Sequence, residues 1–188
     1  MNIYDPYPDR VEADGKEYKL NLAYDRVLMV IDAQDDPALT DEDRIELQAR
    51  LLLADARQCP KTTAAQAQLV AAVFALFPRS ERATERYIDF HQDAAMIRSA
   101  FFRIGVDLTR EHPHFLQFLE LLADLPSDTA LMRTVEIRQR PIPKPTKHNG
   151  EQIAALQEAK TRVALKVSDE ERRARFAASL KQSSILRG

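Results

Sequence analysis

The sequence predicts a mainly α fold: a compact helical domain of about six helices with a small N-terminal β-hairpin, then a helical C-terminal appendage. Three observations carry this. Apolar residues recur at three- and four-residue steps in one stretch after another, the period of a helix with one buried face. Only four glycines occur in 188 residues, too few for a fold made of many tight β-turns. The one strong strand signal, Asp14-Gly15 between two short runs, lies near the N-terminus.

Val11 to Leu20 reads as the hairpin, because the commonest two-residue turn needs positive φ at both positions and Asp-Gly accepts it. Val11 and Ala13 face one side, with Tyr18 and Leu20 joining them. A lone hairpin is marginal in water, so it packs on helices. Asn21 is expected to cap a first helix through Ile31, with Tyr24, Val27, Leu28 and Ile31 inward; Asp35-Asp36-Pro37 ends it. Thr40 caps the second helix, with Asp41, Glu42 and Asp43 at its positive end and Ile45, Ala49, Leu52 and Leu53 buried. The acids from Asp32 to Asp43 lack the glycine and spacing of a calcium loop and read as helix capping. After Cys59-Pro60, Thr62 or Thr63 starts an alanine-rich third helix with Ala65, Leu69, Ala72, Val73 and Leu76 on one face. Phe77-Pro78 ends it, and residues 79–85 form a charged connector.

The stretch from Tyr87 to Arg140 is expected to hold the densest core. Tyr87 to Ile104 places Phe90, Ala94, Ile97, Phe101 and Ile104 on one helical face, flanked by Ala100 and Phe102, and Gly105 stops it. His114 to Leu122 repeats the pattern with Phe115, Phe118, Leu119 and Leu122. Beyond Leu125-Pro126, Ser127 is expected to cap another helix with Asp128 in its first turn. Pro141-Ile-Pro-Lys-Pro145 cannot continue a helix and favours a stiff extended linker. The expected division is therefore a helical domain over 1–140, a Pro-rich linker over 141–150 and a basic helical extension over 151–188. In the extension, a helix over 152–167 carries Ile153, Leu156, Val163 and Val167, interrupted by Lys160. Ser168-Asp-Glu-Glu171 reads as a capping box before a last helix containing Phe176 and Leu180.

Charge is unevenly spread. Residues 141–188 carry ten Lys and Arg against five Asp and Glu; the first 140 carry 17 against 24. A basic tail behind an acidic body fits nucleic acid, an acidic partner or a solvated helix face. The single Cys59 makes no intrachain disulfide, which points to a reducing compartment. Met1-Asn-Ile-Tyr-Asp-Pro has neither a basic start nor an apolar run, so no signal peptide is expected. No apolar run approaches membrane-spanning length. The cytoplasm is the expected location.

The residues carry no pattern of a known catalytic or cofactor site. His112-Pro-His114 is a potential chelating pair, but no cysteine or further histidine at helical spacing completes a ligand set. His91, beside Asp89 and Asp93, reads as part of a helix start rather than a base. Phosphate loops, nucleophile elbows and His-Glu-x-x-His are absent. No enzyme activity, metal or cofactor is expected. Arg172, Arg173, Arg175, Lys181 and Arg187 would neutralise phosphates, but only Phe176 is at hand to stack on bases. The extension fits a grip on a partner helix or a self-association contact better, with Arg172, Arg173, Arg175, Phe176 and Leu180 as the partner-binding residues.

Several blocks resemble the bacteriophage gene-product-fifteen family. Val11-Glu-Ala-Asp-Gly-Lys-Glu-Tyr-Lys-Leu-Asn21 and Tyr24-Asp-Arg-Val-Leu28 match its N-terminal hairpin and helix, and Leu39-Thr-Asp-Glu-Asp43 its acidic helix start. Tyr87-Ile-Asp-Phe-His-Gln-Asp-Ala94, Ile97 to Phe101 and Gly105-Val-Asp-Leu108 follow. So do His114 to Leu122, Leu125-Pro-Ser-Asp-Thr129 and Val135-Glu-Ile-Arg138. The resemblance covers about residues 8 to 140. The family's tryptophans near the fifth helix are replaced by Phe115 and Leu116, and the helices of the tail lie beyond the resemblance. What it implies is a non-enzymatic chaperone of phage or prophage tail assembly. Such a protein holds the tape-measure protein soluble, recruits tail-tube subunits in the host cytoplasm and leaves before the virion matures. The alternative is a small DNA-binding protein using its basic C-terminal helix.

Overall fold

The structure, a computed structural model, describes residues 4–77 and 86–166. It is mainly α, with one two-stranded sheet: β1 (Arg10–Ala13), β2 (Lys16–Lys19), α1 (Tyr24–Gln34), α2 (Asp41–Leu52), α3 (Thr63–Phe74), α4 (Ala94–Arg103), α5 (Phe115–Ala123), α6 (Ala130–Gln139) and α7 (Gly150–Val163). The described residues fall into two compact units, one of residues 4–77 and 101–125, the other of 86–100 and 126–166. Tyr87 to Arg140, the stretch expected to hold the densest part of the core, has residues in both units.

In the first unit the hairpin forms as its turn chemistry dictates. Asp14 and Gly15 take φ of +49° and +68°, the two positive values that a right-twisted two-residue turn needs. Val11 lies opposite Tyr18, and Ala13, Tyr18 and Leu20 are buried where β1 packs on α3. The strand's continuation is tied to the end of α2: Asn21 N–H donates to Leu52 O at 2.8 Å and Ala54 N–H to Lys19 O at 3.0 Å.

Helix α1 begins later than its periodicity suggests, and its inward face is shifted: Val27 is buried and Tyr24 and Leu28 are half-buried, but Ile31 is left outside. Its first residue is Tyr24 and its N-cap is Ala23, not Asn21; Asn21 Oδ1 instead accepts from Ala23 N–H. The cause lies in the partners of residues 22–24. Phe115 N–H donates to Leu22 O and Tyr24 N–H to Pro113 O, so this backbone is engaged with the segment before α5. Val27, Val30 and Ala33 are buried, whereas Ile31 is exposed. Apolar residues run more than half-way round this helix, and packing on both α2 and α5 selects the Val27–Val30–Ala33 row.

The caps of α2 and α3 are those expected. Thr40 Oγ1 accepts from Asp43 N–H at 3.2 Å and Thr62 Oγ1 from Ala65 N–H at 3.3 Å. Ala49, Leu52, Leu53, Leu69 and Val73 are buried. Two amides join them. Gln48 donates to Val30 O and Gln34 Oε1, both at 3.1 Å, and Gln66 donates to Pro60 O at 2.8 Å. Arg44 donates to Ala33 O and Leu39 O, each at 3.1 Å, closing the negative end of α1. Around α5, Phe118 stacks against Phe101 at 5.0 Å and Tyr24 at 4.9 Å, and Phe115 meets Phe77 edge-on at 5.2 Å. Phe101 and Phe118 are almost wholly buried; Phe102, expected to flank that face, is 70% exposed. Gly105, at φ +88°, ends α4 as expected, with Val106 N–H returning to Phe101 O.

In the second unit α4 starts at Ala94 rather than Tyr87. Asp89 Oδ1 accepts from the N–H groups of His91 and Gln92 at 2.8 and 2.7 Å, and Asp93 Oδ2 from Asp89 N–H at 3.0 Å. These short-range bonds hold residues 89–93 in turns at the expense of helix. The N-cap of α6 is Thr129, not Ser127: its Oγ1 accepts from Met132 N–H at 3.2 Å. A turn closed by Thr129 N–H on Pro126 O uses up residues 127 and 128 first. Leu131 and Val135 of α6 are buried. Helix α7 packs on α6, so contacts group the two in one unit, where sequence composition set a boundary at 141–150. Its stripe of Ile153, Leu156 and Val163 is half-buried, and no residue of α7 is fully buried. Lys160 interrupts the stripe because its Nζ donates to Arg138 O at 2.7 Å, at the end of α6.

Candidate functional site

Arg138 is the hub of the second unit. It sits in the last turn of α6, where a cation meets the negative end of the helix. Its Nη1 and Nη2 grip Asp93 Oδ2 and Oδ1 at 2.6 and 2.9 Å, Nη1 also donates to Tyr87 O at 2.7 Å, and Nε donates to Val163 O at 2.6 Å. Beside it, the Gln92 side chain pairs with backbone as a strand would: Nε2 donates to Ala164 O at 2.9 Å and Oε1 accepts from Lys166 N–H at 2.9 Å. Asp89 next door is shifted in pKa by burial, which raises it. The amides of Gln92 and His91, with Arg86, outweigh that and leave the carboxyl below its usual range. The arrangement holds the chain's own α7, with donors and acceptors aimed at the backbone at that helix's end.

The first unit carries a furrow lined by polar and apolar groups alike. Residues Leu20 to Ala23 line one part of about 310 Å³, with Pro8, Asp9, Ala54, His112 and His114. A neighbouring part of about 450 Å³ is lined by Asn21, Ala23, Asp25, Arg26 and His112. The two histidines of His112-Pro-His114 therefore share one furrow but play different parts. His114 caps α5: its Nδ1 accepts from Leu116 N–H at 3.1 Å. That leaves the ring proton on Nε2, 3.1 Å from Pro8 O. Tyr7 stacks on the ring at 4.9 Å and donates its hydroxyl to Glu120 at 2.6 Å. Burial lowers the His114 pKa, against the opposing pull of Pro8 O and Glu120. With both nitrogens engaged, His114 has no lone pair to offer a metal. His112 Nδ1 lies 3.2 Å from Asp25 Oδ2. Among the described residues no group of three or more His, Cys, Asp or Glu is placed to hold a metal ion. Cys59 is half-buried, and burial pushes its thiol pKa up, the opposite of an activated nucleophile.

Large apolar side chains remain in solvent on four helices: Met29 and Ile31 of α1, Leu47 of α2, Phe74 of α3 and Phe102 of α4. Arg172, Arg173, Arg175, Phe176 and Leu180, the partner-binding residues expected from sequence, lie outside the described residues, as do Lys181 and Arg187. Sequence reasoning passed over Arg138 and Gln92. An arginine in a last helical turn reads as solvated, and the signal that marks it, a buried partner at Asp93, comes from another part of the chain. Among the described residues no helix is long and apolar enough to cross a membrane.

Comparison with known proteins places these features in a family. Neither a search of curated proteins nor one of solved structures returns a match. A family model described as Bacteriophage Gp15 protein matches residues 3–165. The match runs from before the hairpin through α7, so that helix, expected to lie beyond the resemblance, falls within it. With most of the chain covered, hairpin, helical body and α7 together, the chain belongs to the bacteriophage Gp15 family.

Proposed function

We propose that this phage protein is a non-enzymatic tail assembly chaperone, which binds the tape-measure protein and tail-tube subunits during tail morphogenesis. It acts in the bacterial host cytoplasm and is not retained in the mature virion. The observation that carries this reading is the set of exposed apolar side chains on the first unit: Met29, Ile31, Leu47, Phe74 and Phe102. One such residue means little on a protein surface. Spread over α1, α2, α3 and the last residues of α4, all within that unit, they offer the apolar contact that a long amphipathic partner helix needs. Family membership supports the phage setting.

The test is co-expression with the tape-measure protein of the same phage. A tape-measure protein that is insoluble alone and soluble in a complex with this chain supports the reading. If it stays insoluble, or is equally soluble without this chain, the reading falls. Self-association would show as a second copy in the complex. The other reading, a DNA-binding protein working through Arg172, Arg173 and Arg175, predicts salt-sensitive retention on duplex DNA and no effect on the tape-measure protein.

A further inference from the structure

The contacts that seat α7 are unlike those of the other helices. No residue of α7 is fully buried. Its half-buried stripe is short and aliphatic, Ile153, Leu156 and Val163. At its far end the fixing bonds go to its backbone: Arg138 Nε to Val163 O, Gln92 Nε2 to Ala164 O, and Lys166 N–H to Gln92 Oε1. Arg138 and Gln92 therefore read a helix C-terminus followed by extended chain. They do not read side-chain identity there. Any helix with aliphatic residues at i, i+3 and i+10 and an extended residue or two after its last turn presents the same groups.

The connection allows release. Lys160 reaches Arg138 O, and Arg138 reaches Val163 O, so α6 and α7 have their C-terminal ends together and run in the same sense. Residues 140–149 must then travel back along the pair. Drawn out fully, ten residues would span about 31 Å at about 3.1 Å each; here residues 147 and 148 are in a turn, closed by Thr146 N–H on Asn149 Oδ1. The fourteen residues of α7 rise only about 21 Å. The linker exceeds the distance it must cover, so α7 can leave while its tether holds.

We propose that the face of the second unit formed by α6 and residues 87–93 is a helix-binding site that α7 occupies in cis. Its partner in trans is an amphipathic helix of the α7 pattern, which displaces α7. The proposal rests on the chaperone reading for the identity of that partner as the helical tape-measure protein, and it adds a helix grip on the second unit to the apolar contact on the first. Tethering sets a high threshold: the cis helix competes at an effective concentration of about millimolar, so only a multivalent or tightly fitting partner opens the site.

The test uses the full chain and, as probe, a fluorescent peptide of residues 150–166. Unseating the cis helix with Leu156→Asp should raise peptide binding at least tenfold over the unmodified chain. Adding Gln92→Ala should lower it again severalfold; Arg138 is left alone because it also holds Asp93. Amide exchange of the unmodified chain should show α7 opening at least tenfold faster than α6. The proposal is overturned if the Leu156→Asp chain does not bind the peptide, if that variant loses helix beyond α7, or if α6 and α7 exchange together. A dimer that swaps α7 between copies and excludes the peptide assigns the face to self-exchange and also overturns it. A tape-measure fragment that co-purifies with the chain yet fails to displace the peptide sinks this site and leaves the chaperone reading standing. A fragment that does not co-purify at all sinks both.

Discussion

Asp93 and Arg138, 45 residues apart, form a bidentate ion pair with side chains 0% and 6% exposed. Water is nearly excluded from both. Such a pair contributes little net stability over apolar residues of the same volume, but breaking it strands a buried charge. Asp93→Ala should therefore destabilise the second unit by about 3–5 kcal/mol, read as a lower urea midpoint by circular dichroism. The double variant Asp93→Leu with Arg138→Met should recover part of that loss. Recovery is incomplete because Tyr87 O and Val163 O then lose their donor.

Gly15 has open space where a Cβ would sit, but its φ is +68°. Gly15→Ala tests backbone strain without a clash. It should cost about 1 kcal/mol and lower the thermal midpoint by a few degrees. An unchanged midpoint would mean that the turn is not the positive-φ pair described.

Thr129 and Ser127 separate the observed cap of α6 from the expected one. Thr129→Ala should cost about 1 kcal/mol, and Ser127→Ala should stay within about 0.5 kcal/mol. Chemical denaturation of the two variants side by side decides which hydroxyl caps the helix.

His114 gives a pH dependence with a definite sign. Burial lowers its pKa in the folded chain below the ordinary 6.5, so the unfolded chain binds the proton more readily. Its contribution is complete above about 6.5 and is lost as pH falls from there toward the folded pKa. A proton on Nδ1 would also face the Leu116 N–H that this nitrogen accepts. Asn at this position can still cap and does not titrate. His114→Asn should flatten the acid side of the stability profile.

What the sequence reveals here is what short-range rules decide. The Asp14-Gly15 turn, the Thr40 and Thr62 caps, the Gly105 stop and the Phe115–Phe118–Leu122 face each depend on a few neighbouring residues. What it hides depends on distant partners. The inward face of α1 is chosen by α2 and α5, and the start of α1 by Pro113 and Phe115. Residues 87–93 carry a helical apolar period, yet aspartate bonds to nearby amides hold 90–93 in turns and α4 starts only at Ala94. Gln48 and Gln66 look like surface residues until the carbonyls of Val30 and Pro60 are seen beside them. Of the candidate site, the histidine pair was visible as a motif. The opposite roles of His112 and His114 were not, because Asp25 and Pro8 supply them. The proline run from Pro141 reads as a boundary between pieces, whereas in the structure it is the return path that brings α7 onto α6.

Phe102 links the fold to the chaperone account. At 70% exposure its removal should leave stability within about 0.5 kcal/mol. Phe102→Ser should nonetheless lower the yield of soluble tape-measure protein on co-expression. A yield equal to that of the unmodified chain would take Phe102 out of the contact surface.

The most direct test of the central claim is a binding titration of the purified full chain against a soluble helical fragment of the tape-measure protein, with duplex DNA in parallel, from low to high salt. The account predicts saturable binding to the fragment that persists at high salt, as apolar contact requires, and DNA binding that is weak or lost as salt rises. Tight, salt-sensitive binding to DNA with none to the fragment would contradict it.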